Sequence, residues 1–384
     1  MIRKIFFWAH LSCGLLAGLV IFMMSLTGVL LTYERQILNW SAQGHDLSEA
    51  RTSTPLPLEQ LLTISHSRHP DFHPTSLIIS KQPGAPVILR AGREGSLSLD
   101  PYNGQEQAAA SPGLEEFFST VTAIHRWFNV RDANRSTARA ITGASNLMFL
   151  FLILSGLYLW LPRIWKWMSF KLRLFFVRNA ASSKIRDFNW HHVIGIWSAL
   201  PLAVIVATAA VFSYGWANDL VYQAFGEQAP VRRSAGNAAA SNIAAKPGTD
   251  AGKVMPHYLS LDQLVARAAN YRGDWRQLTA NLPKPDAATL QFTIDQGNGG
   301  QPQLRHSLSL DRQTGEVRSW QPFSSQSPGR QARTFIRFLH TGEALGFWGQ
   351  TLAGLVSFAS LFMVWTGFAL AWRRLLQPLL RNTK

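Results

Sequence analysis

Residues 5–33 read IFFWAHLSCGLLAGLVIFMMSLTGVLLTY, without one Asp, Glu, Lys or Arg. A helix crosses the hydrocarbon core of a bilayer with roughly 20 mostly apolar residues, so this run is long enough to span. Stretches 140–162, 188–218 and 344–372 are equally free of charge. Four core helices of that length and apolarity would be unusual in a soluble protein, so the sequence predicts four membrane spans. The first run is too long for the roughly 7–15-residue apolar region of a signal peptide, and no small-x-small cleavage site follows it; it is read as an anchor that is retained.

The rest of the composition agrees. Of 384 residues, 47% are hydrophobic and only 15% charged, which excludes a disordered chain. The single cysteine, Cys13, excludes a disulfide framework, a four-cysteine zinc site and a cysteine-ligated iron–sulfur cluster. Basic residues set the orientation. Arg3 and Lys4, then Arg163, Lys166, Lys171, Arg173, Arg178, Lys184 and Arg186 against Asp187, then Arg373, Arg374, Arg381 and Lys384 carry +12 of the net +15, whereas segments 34–139 and 219–343 carry −1 and +4. By the positive-inside rule both termini and 163–187 are cytoplasmic and the long segments lie outside, in a bacterial periplasm. The positive charge then reports topology and anionic lipid, and no nucleic-acid partner is expected.

The chain also repeats itself. Ser96-Leu97-Ser98-Leu99-Asp100 returns as Ser307-Leu308-Ser309-Leu310-Asp311, each followed by a turn glycine (Gly104, Gly315). Leu58-Glu59-Gln60-Leu61-Leu62 returns as Leu261-Asp262-Gln263-Leu264-Val265, and Ser155-Gly156 as Thr366-Gly367. Each half reads as span, external domain, span. The expected fold is therefore an α-helical membrane protein, a four-helix bundle built from a tandem repeat about an axis along the membrane normal, with two external α+β domains. The first external domain is predicted to hold a helix at 58–67 and strands at 76–80, 87–91 and 96–100; the second, a helix at 261–271 and strands at 289–295 and 305–311. Stretch 229–253, rich in Ala, Gly and Ser, reads as a flexible insertion. The predicted divisions are spans at 1–35, 138–162, 188–218 and 344–372, external domains at 36–137 and 219–343, a basic loop at 163–187 and a tail at 373–384.

Eleven histidines are present, and four fall at matching places. His10 and His191 open the first and third spans, each with a glycine four residues on (Gly14, Gly195). His125 and His340 precede the second and fourth. A two-fold axis brings such equivalents to equal depth on opposite sides, the arrangement of two axial imidazoles on a haem iron, and the glycines leave room for a macrocycle. A proton relay, metal transport or interhelical hydrogen bonding would also account for histidines in spans. His192 is an alternative to His191: the glycine spacing favours His191, the tryptophan spacing (Trp8 to His10, Trp190 to His192) favours His192. His66, His69 and His73 read as a solvated face, His45, His257 and His306 as surface residues, and Cys13 as packing. No Walker motif, strand-borne GxGxxG, HExxH or Ser/His/Asp order stands out, so an electron donor would come from elsewhere.

His10-Leu11-Ser12-Cys13-Gly14, Ile124-His125-Arg126-Trp127, Ser155-Gly156 followed by Leu157-Tyr158-Leu159-Trp160-Leu161-Pro162-Arg163, and Leu339-His340-Thr341-Gly342 running on to Trp348-Gly349 resemble the PepSY-associated transmembrane proteins across nearly the whole chain, and most of all their FoxB-type siderophore reductases. The resemblance implies two PepSY-like periplasmic domains and a di-haem inner-membrane protein. It implies two haem b groups, with His10 paired with His191 and His125 with His340; the absence of CxxCH agrees with b-type rather than c-type attachment. The activity it implies is ferric-siderophore reduction. Electrons would come from a quinol or a cytoplasmic reductant, pass from the inner to the outer haem, and reach a siderophore docked near His125 and His340 between the external domains. Arg126, Arg333 and Arg337 are expected either to pair with haem propionates or to anchor the chain at the interface. Two other classes stay open: a periplasmic peptide-binding regulator, and a siderophore or metal transporter. The transporter is disfavoured by the lack of acidic residues within the spans.

Overall fold

The computed structural model describes residues 1–42, 54–92, 95–107, 112–130, 132–230, 257–283 and 287–381. His45 and most of the predicted insertion at 229–253 lie outside them. Four helices are long and apolar enough to cross a membrane: α1 (Ile2–Leu31), α5 (Arg135–Trp160), α7 (Ser183–Ser213) and α11 (Gly346–Leu375). Their ends differ from the uncharged runs because hydropathy marks the part that suits lipid, not where the helix stops. Arg135, Arg139, Lys184, Arg186, Arg373 and Arg374 are all helical. The third helix ends before its uncharged run does: the backbone turns extended at Tyr214 (φ −124°, ψ 131°), and α8 (Gly215–Gln223) begins there.

The chain divides into two units. The helical unit comprises residues 1–41, 110–218 and 334–384. In it α1 packs against α5, α5 against α7, α7 against α11 and α11 against α1, a closed ring with α1 and α7 on one diagonal. Asn146 on α5 donates to the Val206 carbonyl of α7 (2.9 Å), a buried bond of the kind that joins helices where water is absent. Contacts at the two ends fix the alternation of direction. At one end Arg3 donates to the carbonyls of Leu159 and Leu161, and buried Asp187 accepts from Arg186 and from Arg373 (2.6 Å). At the other, Gln350 donates to Thr32 O (3.0 Å), Tyr33 bonds Thr351 (2.6 Å) and Arg35 pairs with Glu343 (3.0 Å). The starts of α1 and α7 and the ends of α5 and α11 thus share the basic end.

Shorter helices complete this unit: α2 (Glu34–Ala42), α4 (Pro112–Trp127), α6 (Trp167–Leu174), α10 (Pro328–His340) and α12 (Gln377–Arg381). His125 and His340 stand near the ends of α4 and α10. The predicted external domains included both helices; the structure groups all of α4 and the His340 end of α10 with the bundle. After α4 the chain reverses through Phe128 and Asn129, both left-handed (φ 56° and 57°); after α10 it reverses through Gly342 (φ 77°).

The second unit, residues 42–109 and 219–333, corrects the expectation of two separate small domains. Helix α3 (Leu58–Arg68) precedes β1 (Ser76–Ser80), β2 (Val87–Arg90), β3 (Ser96–Leu99) and β4 (Glu106–Gln107). Helix α9 (Leu261–Tyr271) precedes β5 (Gln277–Asn281), β6 (Thr289–Asp295), β7 (Arg305–Asp311) and β8 (Val317–Gln321). The strands form one antiparallel eight-stranded sheet, β4-β3-β2-β1-β5-β6-β7-β8. The two sets meet where β1 pairs with β5, Ser76 opposite Asn281 and Ser80 opposite Gln277. Leu61, Leu77, Leu89, Leu99, Leu264, Leu278, Leu290 and Leu308 share one core. The helix N-termini exchange caps: Asp262 accepts from Leu58 N (3.0 Å) and Glu59 from Leu261 N. Strands β4, β5 and β8 were not predicted. The first is two residues long, and the other two are polar, QLTAN and VRSWQ.

Candidate functional site

The four matched histidines do the same thing in the fold. Each engages, through Nδ1, a hydroxyl on a neighbouring membrane helix. His10 of α1 meets Ser155 of α5 (2.9 Å), and His191 of α7 meets Thr366 of α11 (3.0 Å). His125 of α4 meets Thr27 of α1 (2.8 Å), and His340 of α10 meets Thr208 of α7 (3.2 Å) and the Ile205 carbonyl (2.9 Å). Among the described residues, no hydrogen bond engages Nε2 of any of the four. Four of these residues sit at corresponding positions of the two halves with identical spacing: His10 and Thr27 are seventeen apart on α1, as are His191 and Thr208 on α7. At 1.5 Å per residue this separates two levels by about 25 Å, close to the roughly 30 Å thickness of a hydrocarbon core.

Room beside the rings comes from glycines on the partner helices. A Cβ on Gly156 would lie 3.4 Å from His10 Cε1, one on Gly367 3.6 Å from His191 Cε1, and one on Gly28 3.7 Å from His125 Cε1. Each follows the hydroxyl residue directly: Thr27-Gly28, Ser155-Gly156, Thr366-Gly367. Gly14 and Gly195, which the sequence reading used for this purpose, instead face Leu152 (3.9 Å) and Met363 (3.2 Å). The choice of His191 over His192 therefore rests on a different observation. His192 turns Nδ1 to the Phe188 carbonyl of its own helix (2.8 Å) and stacks on the Phe188 ring (centroids 4.0 Å apart), whereas His191 mirrors His10.

His10 lies within electrostatic reach of both His191 and His192, and His340 within reach of His125. Burial holds the His125 imidazole well below the ordinary histidine range, at about 4, and the neighbouring His340 acts in the same direction; burial also lowers His340. Both shifts favour the neutral ring, the form that donates a lone pair to a metal. Among the described residues no three His, Cys, Asp or Glu side chains cluster, and each level here offers two imidazoles.

Arg126 follows His125 and sits in a group with Arg135, Arg139 and Arg337. Burial, then the charges of Arg139, Arg135 and Arg337, lower its pKa. Arg126 and Arg135 both lie over the Trp127 ring, at 4.8 and 4.0 Å, and no carboxylate pairs with any of the four arginines among the described residues. Arg333 belongs to the sheet unit. The other histidines stand apart: His69 pairs with Glu106 (2.7 Å), the His66 and His73 rings are 6.3 Å apart, His257 is exposed, and His306 is half-buried against Gln296 (3.1 Å).

The model of the PepSY-associated TM region matches residues 7–374. The chain belongs to that family. The match takes in the eight strands and every histidine discussed above together with the four long apolar helices, and this member of the PepSY-associated family is a membrane protein. A comparison with curated proteins returns no match.

Proposed function

We propose that this chain is a di-haem b reductase of the FoxB type, set in a bacterial inner membrane. In this reading it is a tandem repeat with both termini cytoplasmic and its sheet unit periplasmic. It carries electrons from a quinol or a cytoplasmic reductant to a ferric siderophore and so releases the iron. The observation that carries the reading is the set of four histidines, two at each of two levels, whose Nδ1 atoms are tied to neighbouring helices and whose Nε2 atoms have no partner. That donor set would fit a haem iron held by two neutral imidazoles at each level. His10 and His191 would hold the group at the basic end, His125 and His340 the one at the other end. Haem b bound there supplies one-electron chemistry at both faces of the membrane.

The chain's own residues then have defined tasks. The bundle walls hold the imidazoles away from water. Arg126, Arg135, Arg139 and Arg337 gather positive charge beside the outer pair, where haem propionates or an anionic substrate would be held. Reduction suffices for release, because siderophores grip hard Fe3+ through oxygen and hold the larger, less charged Fe2+ far more weakly.

The test is the visible spectrum of detergent-purified protein, oxidised and dithionite-reduced, with a pyridine haemochrome assay. Two b haems per chain are expected, one of which is lost in His191→Ala and neither in His192→Ala. A colourless protein from cells with ample haem sinks the reductase reading and moves the weight to a peptide-binding regulator.

A further inference from the structure

Each hydroxyl that meets a site histidine has already committed its own proton. Ser155 donates to the Phe151 carbonyl (2.6 Å), Thr27 to Met23 (2.8 Å), Thr366 to Phe362 (2.7 Å) and Thr208 to Val204 (2.7 Å). These are the back-bonds a Ser or Thr makes one turn down its helix. A hydroxyl has one proton and two lone pairs, so toward the imidazole each of these oxygens accepts. Nδ1 must therefore carry the hydrogen, and Nε2 is left with a lone pair. Ile205 O, 2.9 Å from His340 Nδ1, enforces the same tautomer, since a carbonyl only accepts. The arrangement recurs four times, on four different helix pairs.

We infer that Thr27, Ser155, Thr208 and Thr366 are positioning residues: each fixes its histidine as the Nδ1–H tautomer and presents Nε2 as the iron-binding atom of the haem sites. The inference rests on the proposed function and deepens it. A partner that accepts from the far nitrogen of a metal-bound imidazole orients the ring and raises its basicity. A more basic ligand favours ferric over ferrous iron, so losing the acceptor raises the potential. The four hydroxyls are also divided by level: Ser155 and Thr366 serve the His10–His191 pair, Thr27 and Thr208 the His125–His340 pair. Among the described residues Ser155 is the one acceptor at His10 Nδ1, whereas the other three histidines also meet a backbone carbonyl, His340 that of Ile205, His125 that of Met24 and His191 that of Met363.

The experiment is a spectroelectrochemical titration of the full-length protein in detergent, with haem content measured alongside. Ser155→Ala, Thr366→Val, Thr27→Val and Thr208→Val are compared with the conservative Ser155→Thr and Thr366→Ser. The nonpolar changes should each raise one midpoint potential and weaken haem retention by about 10–100-fold, most in Ser155→Ala and less in the three threonine variants. Ser155→Ala and Thr366→Val should move the same haem, Thr27→Val and Thr208→Val the other, while the conservative variants stay with the wild type. Unchanged potentials in the nonpolar variants, or conservative variants that lose haem as badly as nonpolar ones, would overturn the inference and leave the reductase reading intact. A wild-type protein without haem would overturn both.

Discussion

At the scale of single residues, the arginines beside His125 are the least expected feature. Four guanidiniums stand close enough to press on one another, all of them solvent-exposed, and like charges gathered in this way are relieved when an anion joins them. If haem propionates are that anion, Arg126→Ala with Arg337→Ala should weaken retention of the outer haem and shift its potential, read by redox titration and haem content. An unaltered potential and affinity would return both residues to interfacial anchoring. The four matched histidines were legible in the sequence, because they stand at like places relative to the predicted spans. Their hydroxyl partners were legible only in part. Ser155-Gly156 and Thr366-Gly367 appear as matching dipeptides, and Thr27-Gly28 has the same form, but Thr208 is followed by Ala209. Threonines are ordinary in membrane helices, and only knowing which helices adjoin turns one into a partner.

At the scale of elements, hydropathy located the four long helices but not their ends, and it was silent on α4 and α10. Those two place His125 and His340, yet their polar faces resemble loop composition. Close helix approach is likewise invisible until the helices are paired. A Cβ on Gly18 would lie 2.6 Å from Phe368 Cζ, so α1 and α11 touch with nothing to spare. Gly18→Val should lower stability by roughly 1–3 kcal/mol, the usual range for overpacking. Adding Phe368→Ala should recover part of that loss. Thermal unfolding of the single and double variants measures both, and equal melting of Gly18→Val and wild type would contradict the packing described.

At the scale of the whole molecule, the contacts of Arg3, Asp187 and Arg373 put the basic segments at one end of the bundle, as the positive-inside reading requires. With Cys13 replaced by Ser, an impermeant thiol reagent applied to intact spheroplasts should label Asp274→Cys and spare Lys166→Cys. The reverse pattern would invert the proposed topology. The joining of the two strand sets had no local signature, because β1 and β5 lie far apart in the chain and nothing in either short run names its partner.

That separation has a consequence for biogenesis. Gln277 is synthesised about 200 residues after Ser76, and at roughly 5–20 residues per second the interval is about 10–40 s. Throughout it, β1 is an open edge with unpaired backbone groups, the kind of edge that recruits other strands. A nascent chain stalled between its halves is therefore the form most exposed to misassembly, and a holding chaperone would be needed there rather than on the finished protein.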